Sequence, residues 1–108
     1  MPVMDIKIIP IGTSAVSVSE SLVPAIRLLE ETPDVRFQLT AMGTIVEGGP
    51  LMRLYELAAR MHQAVLAVAP RVVVFTEVDE RKDKVLSIEG KVRSLEEKKS
   101  RGKKELSH

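Results

Sequence analysis

Cysteine and tryptophan are absent from these 108 residues, and the chain holds one tyrosine, two phenylalanines and two histidines. Without cysteine there is no disulfide and no thiolate chemistry, which fits a reducing compartment. Two histidines, His62 and His108, exclude a histidine-rich metal site. No apolar run approaches the roughly eighteen residues that span a bilayer, and the N-terminus lacks the basic-then-apolar layout of a secretory leader. A cytoplasmic protein with no membrane partner is expected. Phosphate-loop, zinc and dinucleotide signatures are missing too, and no nucleophile and base can be paired from spacing. The residues nominate no catalytic group, no metal and no cofactor, so a non-enzymatic role is expected.

What remains is enough for one modest core, since 44% of the residues are hydrophobic. Charge is uneven along the chain. Residues 81–108 carry ten basic and five acidic side chains, a surplus of five, so the remainder holds −4 of the total +1. Such a tail can attract nucleic acid or an acidic partner. Acids interspersed among the bases, and no aromatic ring on which a base could stack, favour a solvated helix face instead.

Residues 37–49, FQLTAMGTIVEGG, organise the pattern. Alternation of Val35, Phe37, Leu39 and Ala41 against Arg36, Gln38 and Thr40 predicts a half-buried strand. Gly43 allows a corner, and residues 44–47 make a short antiparallel return that delivers Glu47 to a Gly-Gly turn. Upstream, Ile6, Ile8, Ile9 and Ile11 form a β-branched strand in which Pro10 ends pairing on one side. Ser17 and Glu20 have capping-box spacing ahead of a helix with Leu22, Ile26 and Leu29 inward and Val23 flanking. Pro24 lies awkwardly within it, so the regular helix begins near Ser21 or is kinked. Downstream, Pro50 opens a second helix whose apolar stripe is Leu54, Leu57, Ala58, Met61, Val65 and Val68, ended by Pro70. Residues 72–78 then form a last strand. The order β-α-β-β-α-β predicts an α+β, ferredoxin-like sandwich of two helices on one face of a four-stranded sheet.

The other face would expose Ile9, Ile11 and Phe75, a patch that a soluble monomer rarely tolerates, so a second subunit is expected to cover it. Residues 82–99 carry Val85, Ile88, Val92 and Leu95 at spacings of three and four, a thin seam on an additional C-terminal helix that Gly90 weakens. That helix is expected to dock on the subunit across the sheet. Residues 1–99 thus form the domain, and 100–108 a fraying basic tail.

Local features are compatible with several roles. Gly12, Thr13 and Ser14 offer backbone amides and hydroxyls near a helix start, where anions bind, and equally form an ordinary cap and loop. Glu47 lies just before the second helix and complements its dipole. The run Asp79, Glu80, Arg81, Lys82, Asp83, Lys84 has the composition of a solvated turn, and His62 reads as a boundary histidine.

PIGTSAVSVS at residues 10–19, AMGTIVEG at 41–48 and VDERKDK at 78–84 together resemble the small thiamine-binding, YkoF-like proteins, over residues 5 to about 95. The resemblance implies a ferredoxin-like fold, dimers joined through their sheets and often paired into tetramers, and binding of thiamine or its hydroxymethylpyrimidine moiety with no known reaction. On that footing Glu47 would pair with the pyrimidine edge or the thiazolium cation, Thr44 would hydrogen-bond, and Met42 would pack on a ring beside Gly43. Gly12, Thr13 and Ser14 would close one side. Asp79, on a strand taken as parallel to the first, would reach the same rim, and Arg81 would pair with an acid across the subunit interface. Phe37 departs from the family, where a tyrosine is expected. Two other classes stand beside this reading, a structural or regulatory oligomeric module without thiamine and an enzyme acting on a small heterocycle. Nucleic-acid binding is a distant fourth.

Overall fold

A computed structural model describes residues 1–13, 18–82 and 88–106. The elements run β1 (Val3–Ile11), α1 (Val18–Glu30), β2 (Val35–Leu39), β3 (Thr44–Gly48), α2 (Leu51–Leu66), β4 (Arg71–Asp79) and α3 (Ile88–Leu106). The four strands form one antiparallel sheet in the order β2-β3-β1-β4. The expected α+β, ferredoxin-like βαββαβ arrangement with an added C-terminal helix is the fold found.

Cross-strand partners share a face, so the register sorts the side chains. Met4 lies opposite Val46 and Val78, Ile6 opposite Thr44, and Ile8 opposite Val74. This set faces α1 and α2, and with Ala25, Leu29, Leu54, Leu57, Met61 and Val65 it makes the core. Val3, Asp5, Lys7, Ile9 and Ile11, with Ile45, Glu47, Val73, Phe75, Glu77 and Asp79 in register, occupy the opposite face.

Several boundaries differ from the expected ones for physical reasons. α1 starts at Val18 and contains Pro24, so burial of Ala25 and Leu29 outweighs the lost backbone bond. Its capping residue Ser17 lies outside the described residues. α2 starts at Leu51, with Pro50 at the cap position in extended geometry (φ −73°, ψ 158°). The helix stops at Leu66, ahead of Pro70, and Val68 is exposed beyond its end. α3 continues past Ser100 to Leu106, as the helix-forming composition of that run allows, so the boundary expected at Ser100 is not the helix end.

The β2–β3 hairpin is fixed at both ends. Thr40 and Gly43 close the turn, with Thr40 N–H donating to the Gly43 carbonyl at 2.9 Å and Gly43 N–H donating to Thr40 Oγ1 at 3.0 Å. At the far end the Arg53 guanidinium grips Asp34 through Nε (3.0 Å) and a terminal nitrogen (3.2 Å). Those bonds hold the Asp34 carboxyl below its ordinary value. Gly48 has φ +148°, and a Cβ there would lie 2.9 Å from the Asp34 carbonyl oxygen and 3.3 Å from Val35 Cα, both backbone atoms. Gly48→Ala is therefore expected to destabilise the fold by about 1–3 kcal/mol, read as a lower urea midpoint at unchanged slope.

Candidate functional site

β1 pairs with β4 from Val3 to Ile11 but with β3 only from Val3 to Ile6. Beyond Ile6 the chain that would continue β3 is the turn at residues 40–43. Successive strand residues point their N–H and C=O groups to opposite sides, so half the peptide groups of residues 7–11 face a flank that no strand covers among the described residues. A cleft of about 560 Å³ opens there. Ile8, Leu22, Ile26, Leu39 and Met61 supply apolar walls, and Thr40, Ala41, Met42, Gly43 and Thr44 form the rim. Met42 is highly exposed, whereas Thr44 is buried. Gly43 eases a close approach, because a Cβ on it would lie 2.9 Å from Asp5 Oδ1 and 3.0 Å from the Ile6 carbonyl oxygen. A larger, shallow groove of about 760 Å³ between the outer sides of α1 and α2 is lined by Pro24, Arg27, Glu31, Glu56 and Arg60 and contains none of the expected ligand-binding residues.

Of the expected ligand-binding residues, Met42, Gly43 and Thr44 come together in the cleft. Glu47 and Asp79 do not. Both lie opposite Val3 and so share its sheet face, away from α1 and α2, and Asp79 is at that end because β4 is antiparallel to β1 rather than parallel. Gly12, in the left-handed region at φ +80°, sits beside Pro70 at the far end of β1, about 30 Å along the strand from Asp79 at 3.3 Å per residue. The expected convergence of Gly12, Glu47 and Asp79 on one corner is thus not what the register produces. Thr13 follows Gly12, and Ser14 lies outside the described residues. Phe37, where a tyrosine was the expectation from the resemblance, packs against the core from the helix side and does not line the cleft.

Glu47 has a different task. Its side chain is 3% exposed, and its Oε2 accepts the backbone N–H of Ile88 at 2.8 Å, while Oε1 lies 3.3 Å from Arg36. The acid does complement a helix N-terminus, but that of α3, since α2 lies on the opposite side of the sheet. Arg36 also reaches Glu89, and Lys91 pairs with Asp79. These contacts seat α3 on its own sheet, where Ile88, Val92 and Leu95 border a groove of about 380 Å³ with Val3, Ile45 and Gln38. The helix expected to need a partner subunit therefore docks within the chain, although Val92 and Leu95 stay at least half exposed. Ile9, Ile11 and Phe75 are exposed on the same face, as expected. Arg81 is exposed just past β4, and Val85 is outside the described residues. Among the described residues no helix is long and apolar enough to cross a membrane.

Comparison with known proteins places this geometry. The model of the family described as thiamine-binding protein matches residues 4–96. The chain belongs to that family. A UPF0045 protein of Methanothermobacter thermautotrophicus is 34% identical over 95 residues, covering 87% of this chain and 95% of the relative. UPF0045 protein MJ1052 of Methanocaldococcus jannaschii is 37% identical over 88% of this chain and 92% of its own length, and its crystal structure superposes with a TM-score of 0.79 over 89% and 96% of the two chains. A Thermotoga maritima protein, TM0486, described as a candidate for thiamine biosynthesis or salvage, shares the fold at TM-score 0.72 and 18% identity, over 87% and 97% of the chains.

Sequence reasoning missed the cleft's other contributors, the free edge of β1 and Leu22, Ile26 and Met61. The available signal was length, since the β-branched run of β1 outlasts the short return of β3. The Glu47 anchor makes α3 separable from the core. In Glu47→Ala the amide protection of Ile88 and Glu89 is expected to fall roughly 10- to 100-fold, equivalent to about 1–3 kcal/mol, while Leu57 and Met61 keep theirs. Glu89 is held below its ordinary 4.5 first by its own backbone N–H and then by Arg36, against desolvation. A depressed carboxylate stabilises fully above pH 4.5 and loses its effect as pH falls through the folded value. Hydrogen exchange at the start of α3 should therefore quicken selectively below pH 4.5.

Proposed function

We propose that this protein binds thiamine or its hydroxymethylpyrimidine moiety without turning it over, and that it assembles as a homo-oligomer of two or four chains. The observation that supports the ligand reading is the cleft beside the free edge of β1, in a chain of the thiamine-binding protein family. An aminopyrimidine presents ring-nitrogen acceptors next to an exocyclic amine donor. A strand edge presents N–H donors and C=O acceptors in alternation, the complementary set, and apolar walls on either side suit a flat ring. In this reading Thr44 directs a hydroxyl to the ring, and Met42 closes over it with a soft, adaptable side chain.

The described walls of the cleft include Lys7 and no carboxylate. The cationic thiazolium then gains little there, and the pyrimidine is the part recognised. Glu47 and Asp79 serve α3 and are not needed for the ligand. Self-association is supported by the exposed Ile9, Ile11 and Phe75 together with Val92 and Leu95, an apolar surface of the kind that partners cover.

Isothermal titration tests the ligand reading. Hydroxymethylpyrimidine and thiamine are expected to bind within about tenfold of each other. Thr44→Val and Met42→Ala should each weaken binding by about 3- to 10-fold, as loss of one hydrogen bond or one packing contact implies, and Glu47→Ala should leave it unchanged. No heat from either compound at millimolar concentration would sink the thiamine reading, and an oligomer by light scattering would then favour a structural or regulatory module. Consumption of thiamine in the presence of the protein would overturn the non-catalytic part.

A further inference from the structure

Lys7 lines the cleft beside β1, half-buried, and forms no ion pair with any described residue. Its own peptide group belongs to the unpaired flank, and its flexible four-carbon stem can carry the ammonium round an edge where no described strand stands in the way. The acids closest to it in register, Asp5 and Glu77, line the groove beneath α3 together with Asp79. The cleft therefore keeps a cation whose neighbouring carboxylates belong to another groove.

The start of α1 adds to that charge. Ser19, in the first turn of this 13-residue helix, lines the cleft, and Leu22 and Ile26 continue the wall along the next turns. The first four N–H groups of an α-helix have no partner within it and carry the positive end of its dipole. Glu20, the acid of that turn, is exposed and is not part of the cleft wall.

Thr44 marks the same space as a place for a ligand. It is 8% exposed and lines the cleft, yet its hydroxyl bonds to none of the described residues. Among the described residues no side-chain oxygen or nitrogen is both sealed and unpaired, so the Thr44 hydroxyl opens on the cleft. A polar group this buried requires a partner, and one can reach it only from there. The ring proposed above satisfies that hydroxyl and the peptide groups of β1. It leaves the Lys7 ammonium and the start of α1 without a counter-charge, and both select an anion.

We infer that the cleft prefers the phosphate monoester of the aminopyrimidine alcohol to the free alcohol, with the ring at Thr44 and the ester oxygens between Lys7 and the first turn of α1. The inference rests on the aminopyrimidine reading of the cleft and specifies the form of that ligand. Hydroxymethylpyrimidine offers these two groups a neutral hydroxyl, whereas its monoester offers three strong acceptor oxygens and up to about two negative charges at pH 7.

Isothermal titration with the alcohol and with its phosphate monoester tests this, the ratio of the two dissociation constants being the readout. The monoester is expected to bind about tenfold more tightly, from one lysine contact and one helix terminus. That advantage should shrink at about 0.5 M salt, as the exposed part of each contact is screened. Lys7→Met keeps the stem and removes the charge, so it should cut the ratio to about threefold, and Lys7→Arg should hold it at about tenfold. Ser19→Glu sets a carboxylate in the cleft wall at the start of α1 and should bring the ratio to about one or below, by repulsion of the ester. Equal constants for the alcohol and the ester would overturn the phosphate preference and leave the aminopyrimidine reading intact. A preference that neither Lys7→Met nor Ser19→Glu lowers would overturn it too, since the phosphate would then lie elsewhere. No heat from either compound at millimolar concentration would overturn both.

Discussion

The difference in length between β1 and β3 governs most of what this structure offers. β1 is held along nine residues on one side and along four on the other. Over the four shared positions the strand lies between two neighbours, its backbone groups are satisfied, and Met4 and Ile6 are nearly inaccessible. Beyond Ile6 one flank is left unpaired by the described strands. The cause is local: Gly43 brings the turn close against Asp5 and the Ile6 carbonyl, and Thr40 turns the chain away through its hydroxyl. A longer β3 would bury that edge and remove the cleft.

The strand period of two then divides the polar residues between two tasks. Glu47 and Thr44 are three residues apart on one strand, so they face opposite sides of the sheet. Thr44 belongs with the cleft and the helices. Glu47 belongs with α3, where a buried carboxylate meets a helix N-terminus and an arginine that reaches on to Glu89. A buried acid with this many donors is satisfied as it stands, so it needs no ligand to account for it.

How much of this was legible follows from the same reasoning. The core stripe of α2 could be read directly, because burial on one face imposes a period that survives in the sequence. So could the exposed trio Ile9, Ile11 and Phe75, which needed only strand alternation. The alternation in β2, by contrast, holds only for Val35 and Phe37, since Leu39 is exposed and Ala41 lies in the turn beyond the strand. The site was legible in part. Gly43 reads as a corner and Met42 and Thr44 enter through the family resemblance, but Asp79 is assigned to the wrong end because strand direction in the sheet is a tertiary fact that no local pattern carries. Glu47 was recognised as a residue that complements a helix dipole, and the helix was mistaken because nearness in sequence stood in for nearness in space. The cleft's helical wall, Leu22 and Ile26, looked like ordinary core, and periodicity cannot tell a residue packed on a strand from one packed beside a strand that has ended.

The free flank of β1 and the outer edge of β4 present the same chemistry, unpaired peptide groups along a strand, yet only the first encloses a small molecule. The first is short, recessed under α1 and closed at one end by the turn at Gly43, which fits a small flat molecule and excludes another strand. The second is long and unobstructed among the described residues, which gives no enclosure to a small molecule. They lie on opposite sides of the β1–β4 ladder, so a ligand at the first takes no hydrogen bonds from the second. The nine-pair ladder that ties them is also the most extensive pairing in the sheet.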